Sequence, residues 1–295
     1  MIDLSLLPPP DVVETVSFES ILAERKARAV ELMPELAATI DLESEPVNVL
    51  LQESAYREVL LRQRINEAAC GVMLATATGA DLDQLGANVG VARLVIDAGD
   101  ASAVPPVAPT YESDAAFRGR ILLSFEAYTT AGSRQSYEYH ALSASGDVLD
   151  ASAVSPTPGH VTVYVLSRSG VGTASAPLLA AVSAALSAED VRPLTDTVSV
   201  LSASIVQYQI TATLHLQDGP DPDVVRTAAL TAARAYAAET HRLGRVVSLS
   251  GLYRALHQSG VLRVDLTAPA GNVAITDGQA PYCTAITLTT DVLDG

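Results

Sequence analysis

The stretch PVNVLLQESAYREVLLRQRINEAACGVMLATAT, Pro46–Thr78, decides how the chain is organised. Glu45-Pro46 places proline at a first-turn position, where its missing N–H costs nothing. Val47, Leu50, Leu51, Ser54, Leu61, Ile65, Ala68, Val72 and Met73 then recur at helical spacing and trace one face. Gly79 is the expected stop. A helix of about 32 residues at 1.5 Å rise is a rod of about 48 Å, longer than a small domain is wide. It either runs through the body as a core helix or projects to bundle with another chain. Val59, Leu60 and Tyr56 lie off the main stripe, so more than one face is expected to be covered. Leu50, Leu51, Leu61, Ile65 and Val72 are the candidate partner-interface residues.

Upstream, Pro8-Pro9-Pro10 is a stiff extended entry. Ser17 caps a helix to about Met33, with Ile21, Leu22, Arg25, Ala29 and Leu32 at helical spacing, and Pro34 interrupts it. Downstream, Asp81 to Gly86 reads as a short capped helix. Asp97 to Pro109 is rich in Ala, Gly, Ser and Pro and reads as an inter-domain linker.

Past that linker the period changes. Helices are expected from Ser113-Asp114 through Phe125, and from a Gly132-Ser133 cap to Ser145-Gly146. β-type runs follow at Val148–Val154 and His160–Val165, joined by Ser155-Pro156-Thr157-Pro158-Gly159. A helix capped by Ser175 precedes alternating runs at Thr197–Leu201 and Val206–Leu216. In the second run Val206, Tyr208, Ile210, Ala212, Leu214 and Leu216 share a face. Helices at Asp221–Thr240 and Ser248–Gln258 precede strands at Val261–Leu266, Asn272–Thr276 and Thr284–Thr290. Tyr139, Ala141, Leu142, Ser145 and Gly146 match Tyr253, Ala255, Leu256, Ser259 and Gly260 at one constant offset. The match reads either as a duplicated unit, a helix stopping at glycine and feeding a β-hairpin, or as coincidence in an Ala/Ser-rich chain.

The expected fold class is therefore α+β. An N-terminal helical, bundle-forming region spans 1–96 and a linker 97–110. Two α/β modules of small mixed or antiparallel sheets with packed helices span 111–203 and 204–295.

Composition narrows the function classes. The 295 residues are 48% hydrophobic and 18% charged, which is a globular and not a disordered composition. The formal net charge of −16 opposes nucleic-acid binding, which needs clustered cations. Lys26 is the single lysine; the other cations are arginines, which suit bidentate carboxylate pairing at interfaces or reflect coding bias. Cys70 and Cys283 make neither a disulfide framework nor a zinc pattern, and are expected to be reduced core residues. No apolar run approaches membrane-spanning length and no targeting segment is visible, so a soluble chain is expected.

Catalytic motifs are not found. His140, His160, His215, His241 and His257 lack zincin spacing, and neither a Gly-x-Ser-x-Gly elbow nor a Walker loop occurs. Asp218-Gly219-Pro220-Asp221-Pro222-Asp223 resembles a metal loop but lacks EF-hand spacing, and reads as a turn with Asp221 capping the next helix. Asp81 and Asp83 fit a helix start better than a catalytic pair. The expectation is no enzyme, no cofactor and no metal.

Several segments resemble the baseplate assembly protein J family of contractile tails. They are Leu85-Gly86 with Arg93, Tyr111 through Ile121, Thr130-Ala131-Gly132-Ser133 leading to Tyr139 through Ser143, Ser155 through Gly159, and Val191 through Asp196. The order and spacing of these pieces cover about Ser17 to Thr290. The resemblance implies a structural wedge subunit that builds the ring around the central hub and links it to the sheath and fibre machinery. It implies other wedge proteins and a second copy of the chain as partners, through a helical bundle, with sheath-initiator-like and hub proteins nearby. It implies neither nucleic-acid binding nor membrane insertion, with assembly in the host bacterial cytoplasm and residence in a virion or tail-like particle. The absence of long extra domains suits a minimal baseplate of a simple phage or a phage-tail-like bacteriocin. The rivals are a baseplate component of a related contractile secretion system, a tail-associated cell-wall hydrolase, and an adhesin module.

Overall fold

Helix α1 (Phe18–Leu32) begins where Ser17 accepts a hydrogen bond from the Ser20 amide, and it ends against Pro34, which opens a short 3-10 turn. Helix α2 (Pro46–Gly71) follows; the computed structural model describes residues 4–8, 10–129, 132–189, 191–217, 219 and 221–292. α2 stops seven residues short of the expected Thr78. The reason is non-local. The Thr76 hydroxyl donates to the Cys70 carbonyl (2.7 Å), and the Arg118 guanidinium donates to the carbonyls of Leu74 (2.6 Å) and Ala77 (2.7 Å). Those bonds satisfy a turn in place of another helical turn. Gly79, expected as the stop, instead starts helix α3 (Gly79–Ala87) with a left-handed φ of +53°, its amide held by the Asp114 carboxylate.

The chain forms two compact units, residues 1–92 with 114–118, and residues 93–113 with 119–295; the division falls inside helix α4 (Asp114–Leu123). In the first, Ile21, Leu22 and Ala55 make the α1–α2 contact, flanked by Val16, Phe18, Leu51 and Val59. Leu82, Val91 and Phe117 are buried there too, and Gly86 gives Phe117 its space: a Cβ on Gly86 would lie 2.5 Å from the Phe117 ring.

The second unit holds the sheets. Strands β1 (Val95–Asp97) and β2 (Thr110–Tyr111) pair antiparallel, with an Asp100–Val107 bridge further out. The stretch read as a linker thus doubles back on itself as a hairpin. Its base is tied down by Glu112, whose carboxylate accepts from the Leu94 amide (3.0 Å) and pairs with Arg120; both side chains are buried. Arg93 donates to the Glu112 carbonyl (2.9 Å), and Arg120 also reaches the Ser143 hydroxyl (3.3 Å).

Helix α5 (Arg134–Ser143), capped by Ser133, leads to β3 (Val148–Thr157) and β4 (His160–Ser167), an antiparallel hairpin turning at Gly159. Helix α6 (Ala176–Leu186), capped by Ser175, crosses to β5 (Thr197–Ser202), parallel to β4. The core between helices and sheet centres on Tyr137, Ala141, Val163, Val165, Val182 and Leu186.

Strand β6 (Ser204–Leu216) is the centre of the last sheet. The expected alternation holds from Tyr208 onward: Tyr208, Ile210, Ala212, Leu214 and Leu216 are buried against Val225, Ala229, Ala233, Leu252 and Leu256 of helices α7 (Pro222–Thr240) and α8 (Leu249–Leu256), while Val206 is only half-buried. β7 (Val261–Ala268) pairs antiparallel with β6 and β8 (Gln279–Val292) pairs parallel with it. The second expected hairpin is therefore not formed, because β6 lies between β7 and β8. The run Asn272–Thr276 contributes only a bridge from Val273 to Val247. β8 begins earlier than expected because β6 offers it a partner along its full length.

Both sheets share one wiring: a central strand with an antiparallel neighbour on one side and a parallel neighbour on the other. The two echo glycines do different work. Gly260 has a left-handed φ of +91°, whereas a Cβ on Gly146 would lie 2.1 Å from the Val95 carbonyl. Leu166, Ala203 and Ala280, with Leu149, Ile205 and Leu243, join the two sheets in one apolar cluster. The fold class is α+β, with small mixed sheets behind a helical N-terminal region.

Replacing Arg120 with Met strands the buried Glu112 carboxylate without its cation. A loss of about 3–5 kcal/mol is expected from such a break, read as a lowered unfolding midpoint in urea; an unchanged midpoint contradicts the anchoring role of the pair.

Candidate interaction surface

Among the described residues no three His, Cys, Asp or Glu side chains gather as a metal site. Asp221 accepts from the Asp223 amide (2.9 Å) as the cap of α7, while Asp218 and Pro220 lie outside the described residues. His215 stands on β6 between Asp265 of β7 (2.8 Å) and Asp291 of β8 (3.2 Å), with Arg263 beside it. The hydrogen bond from His215, and after it Arg263, holds the Asp265 carboxyl below its ordinary range. His241 is fixed by the Pro281 carbonyl (2.6 Å) and stacks edge-on against Tyr282. Cys70 and Cys283 are free and half-buried, and burial pushes the Cys283 thiol up, away from the reactive thiolate. Asp150 is raised by burial and accepts from the Leu243 amide (2.9 Å), a bond that ties β3 to the turn after α7.

The surface that stands out is α2. One face packs on α1 through Leu51, Ala55 and Val59, and a polar ladder lines its border. Glu58 pairs with Arg25 and takes Arg62 (2.8 Å); Arg62 continues to Glu14 (2.9 Å), and Arg25 also donates to the Ser54 hydroxyl (2.7 Å). Asn66 closes the row, donating to the Glu14 carbonyl (2.8 Å) and accepting from its amide (3.0 Å). Hydrogen bonds from Arg25, then Arg62, hold the Glu58 carboxyl below its ordinary value of 4.5.

A neighbouring stripe, about 100° around the helix from the α1 contact, is apolar and exposed. Of the five residues singled out in the sequence, Leu50, Leu61, Ile65 and Val72 are between 59% and 71% exposed. Leu51 differs. It is one residue from Leu50, about 100° around the helix, and it packs toward Ile21 and Leu22 inside the chain. The sequence reading grouped both leucines because it could not see which face α1 would take. Val49, Tyr56 and Leu60 are exposed too, but they lie on another side of α2, divided from the stripe by Glu53, Arg57 and Arg64. Burying the four stripe residues is worth on the order of 5 kcal/mol, no more than the low end of the roughly 4–15 kcal/mol cost of association. The stripe alone holds no partner firmly; contacts beyond it are needed.

The chain matches the Baseplate J-like N-terminal domain over residues 43–100, which includes all of α2, the Baseplate J-like central domain over 129–202 and the Baseplate J-like protein C-terminal domain over 208–289. It belongs to the Baseplate J-like family. Baseplate protein J of Escherichia phage P2 is 52% identical over 289 residues, covering 96% of each chain. In this Baseplate J-like chain, α2 lies wholly in the N-terminal match, and the sheets β3-β4-β5 and β7-β6-β8 lie largely in the central and C-terminal matches. No helix among the described residues is long and apolar enough to cross a membrane.

Because the Glu58 pKa is depressed in the folded chain, its stabilisation is present above the ordinary value of 4.5 and is lost as pH falls through the lower folded value. Hydrogen exchange of α1 and of the facing turns of α2 is expected to quicken in acid ahead of the β6 core, and Glu58→Gln should quicken it at neutral pH. Exchange in α1 that is indifferent to both changes would remove the ladder from the account.

Proposed function

We propose that this chain is a non-enzymatic structural subunit of a phage tail baseplate, a wedge component of the ring around the central hub. The single observation that carries the reading is the bare apolar face of α2 on a chain 52% identical to a phage baseplate protein J. α1 packs on the neighbouring face through Leu51, Ala55 and Val59, and Leu50, Leu61, Ile65 and Val72 stand exposed on this one. Its occupants on this reading are helices of another wedge protein and of a second copy of the chain, making a bundle. The sheet-bearing unit then supplies contacts to neighbouring wedges and toward the sheath and hub. Rigid-body rotation at those smaller contacts lets the ring change shape on firing, because an interface parts more readily than a core. Assembly takes place in the host bacterial cytoplasm, and the finished chain resides in the baseplate of a contractile particle.

Leu61→Asp with Ile65→Asp puts two carboxylates on the bare stripe without touching the α1 contact. Tail assembly by complementation is expected to fail, while the purified double variant keeps wild-type circular dichroism. Particles assembled normally by the double variant would refute the assignment of this face.

A further inference from the structure

The two larger sheets meet at one residue, and that residue has no freedom. β5 ends at Ser202 and β6 begins at Ser204. Between them stands Ala203, which is 5% exposed. Its amide donates to the Val165 carbonyl of β4 (2.8 Å), and the next amide, of Ser204, donates to the Gly278 carbonyl just ahead of β8 (3.0 Å). A hinge is a short run of residues that absorbs a change in φ and ψ. A change at Ala203 parts one of these amides from its carbonyl. β5 and β6 are therefore one spine shared by both sheets. The family matches stop at 202 and resume at 208, where separate domains place an exposed, flexible linker. This chain has a hydrogen-bonded strand there instead.

Side chains seal the seam around that spine. Leu166 of β4 and Ala280 of β8 are buried in one cluster with Ala203, flanked by Leu149, Ile205 and Leu243. At two points a backbone from one side meets a ring from the other. A Cβ on Gly278 would lie 2.8 Å from the Tyr164 ring of β4, and one on Gly172, in the loop before α6, would lie 3.1 Å from the His241 ring at the end of α7. Packing that close leaves no slack for one sheet to rock on the other. The Asp150 carboxylate of β3 accepts from the Leu243 amide (2.9 Å), which adds a polar tie. β3, β4 and the Gly172 loop supply one side of the seam. The start of β6, the turn after α7 and the start of β8 supply the other. A rotation that spares one of these contacts strains the rest.

We propose that the β3-β4-β5 and β7-β6-β8 sheets, with their helices, form one rigid lever, so that a rotation imposed on either sheet reaches the other undiminished. This goes beyond the baseplate reading and does not depend on it. The test is residual dipolar couplings of the backbone amides, measured on the purified, isotope-labelled full chain in a dilute aligning medium. Couplings from β3, β4 and β5 are fitted to one alignment tensor, and those from β6, β7 and β8 to a second. The two tensors are expected to share their axes, with a ratio of magnitudes of about 1, as for parts of a single body. Tensors that differ in magnitude or direction overturn the proposal, because bodies that reorient independently average their couplings separately. Amide relaxation gives a second reading. Equal tumbling times for the two sheets are expected, and a shorter time for either one also overturns the lever.

Discussion

Helix α2 has apolar residues on more than one side, and among the described residues α1 packs on one of them. α1 takes Leu51, Ala55 and Val59, and the ladder from Arg25 through Glu58 and Arg62 to Glu14 fixes that choice of face. Charged groups that are already matched to α1 cannot be traded for the other side without leaving carboxylates and guanidiniums unpaired. The stripe of Leu50, Leu61, Ile65 and Val72 stays exposed beside that contact.

Local signals in the sequence were faithful. The caps at Ser17, Ser133, Ser175 and Asp221 all start helices where their side chains accept a backbone amide, and the alternation along β6 gives its core face from Tyr208 to Leu216, although Val206 is only half-buried and His215 on the other face is buried too. What failed was set by distant parts of the chain. The end of α2 depends on Arg118, which arrives from far along the sequence to take the carbonyls of Leu74 and Ala77. The pairing of β7 and β8 depends on β6, which inserts between them although adjacency in sequence favoured a hairpin. The stretch after Asp97 looked like a linker because Ala, Pro and Gly signal turns, and a hairpin made almost entirely of turn residues gives the same composition.

The helical period of α2 is legible in the sequence, and Leu50, Leu61, Ile65 and Val72 are exposed. Which residues face α1 is not. Leu51 packs inward, because a helix does not announce in its own sequence which neighbour it will meet. The buried pair of Glu112 and Arg120 was likewise silent: nothing in the spacing of two charged residues says that both will be withdrawn from water.

The parallel pairing of β6 with β8 has a consequence for how the polypeptide emerges from the ribosome. β6 is made first, and its last neighbour is made only after α7, α8 and β7. Until then one whole edge of β6 is unpartnered, and contacts that far apart in sequence form late and slowly. The helices around α2 and the sheet β3-β4-β5 have no such debt, so they can be complete while the final sheet is still open. Nascent chains stalled before β8 would carry a finished α1–α2 pair on an unfinished body, with the β6 edge open to any strand it meets.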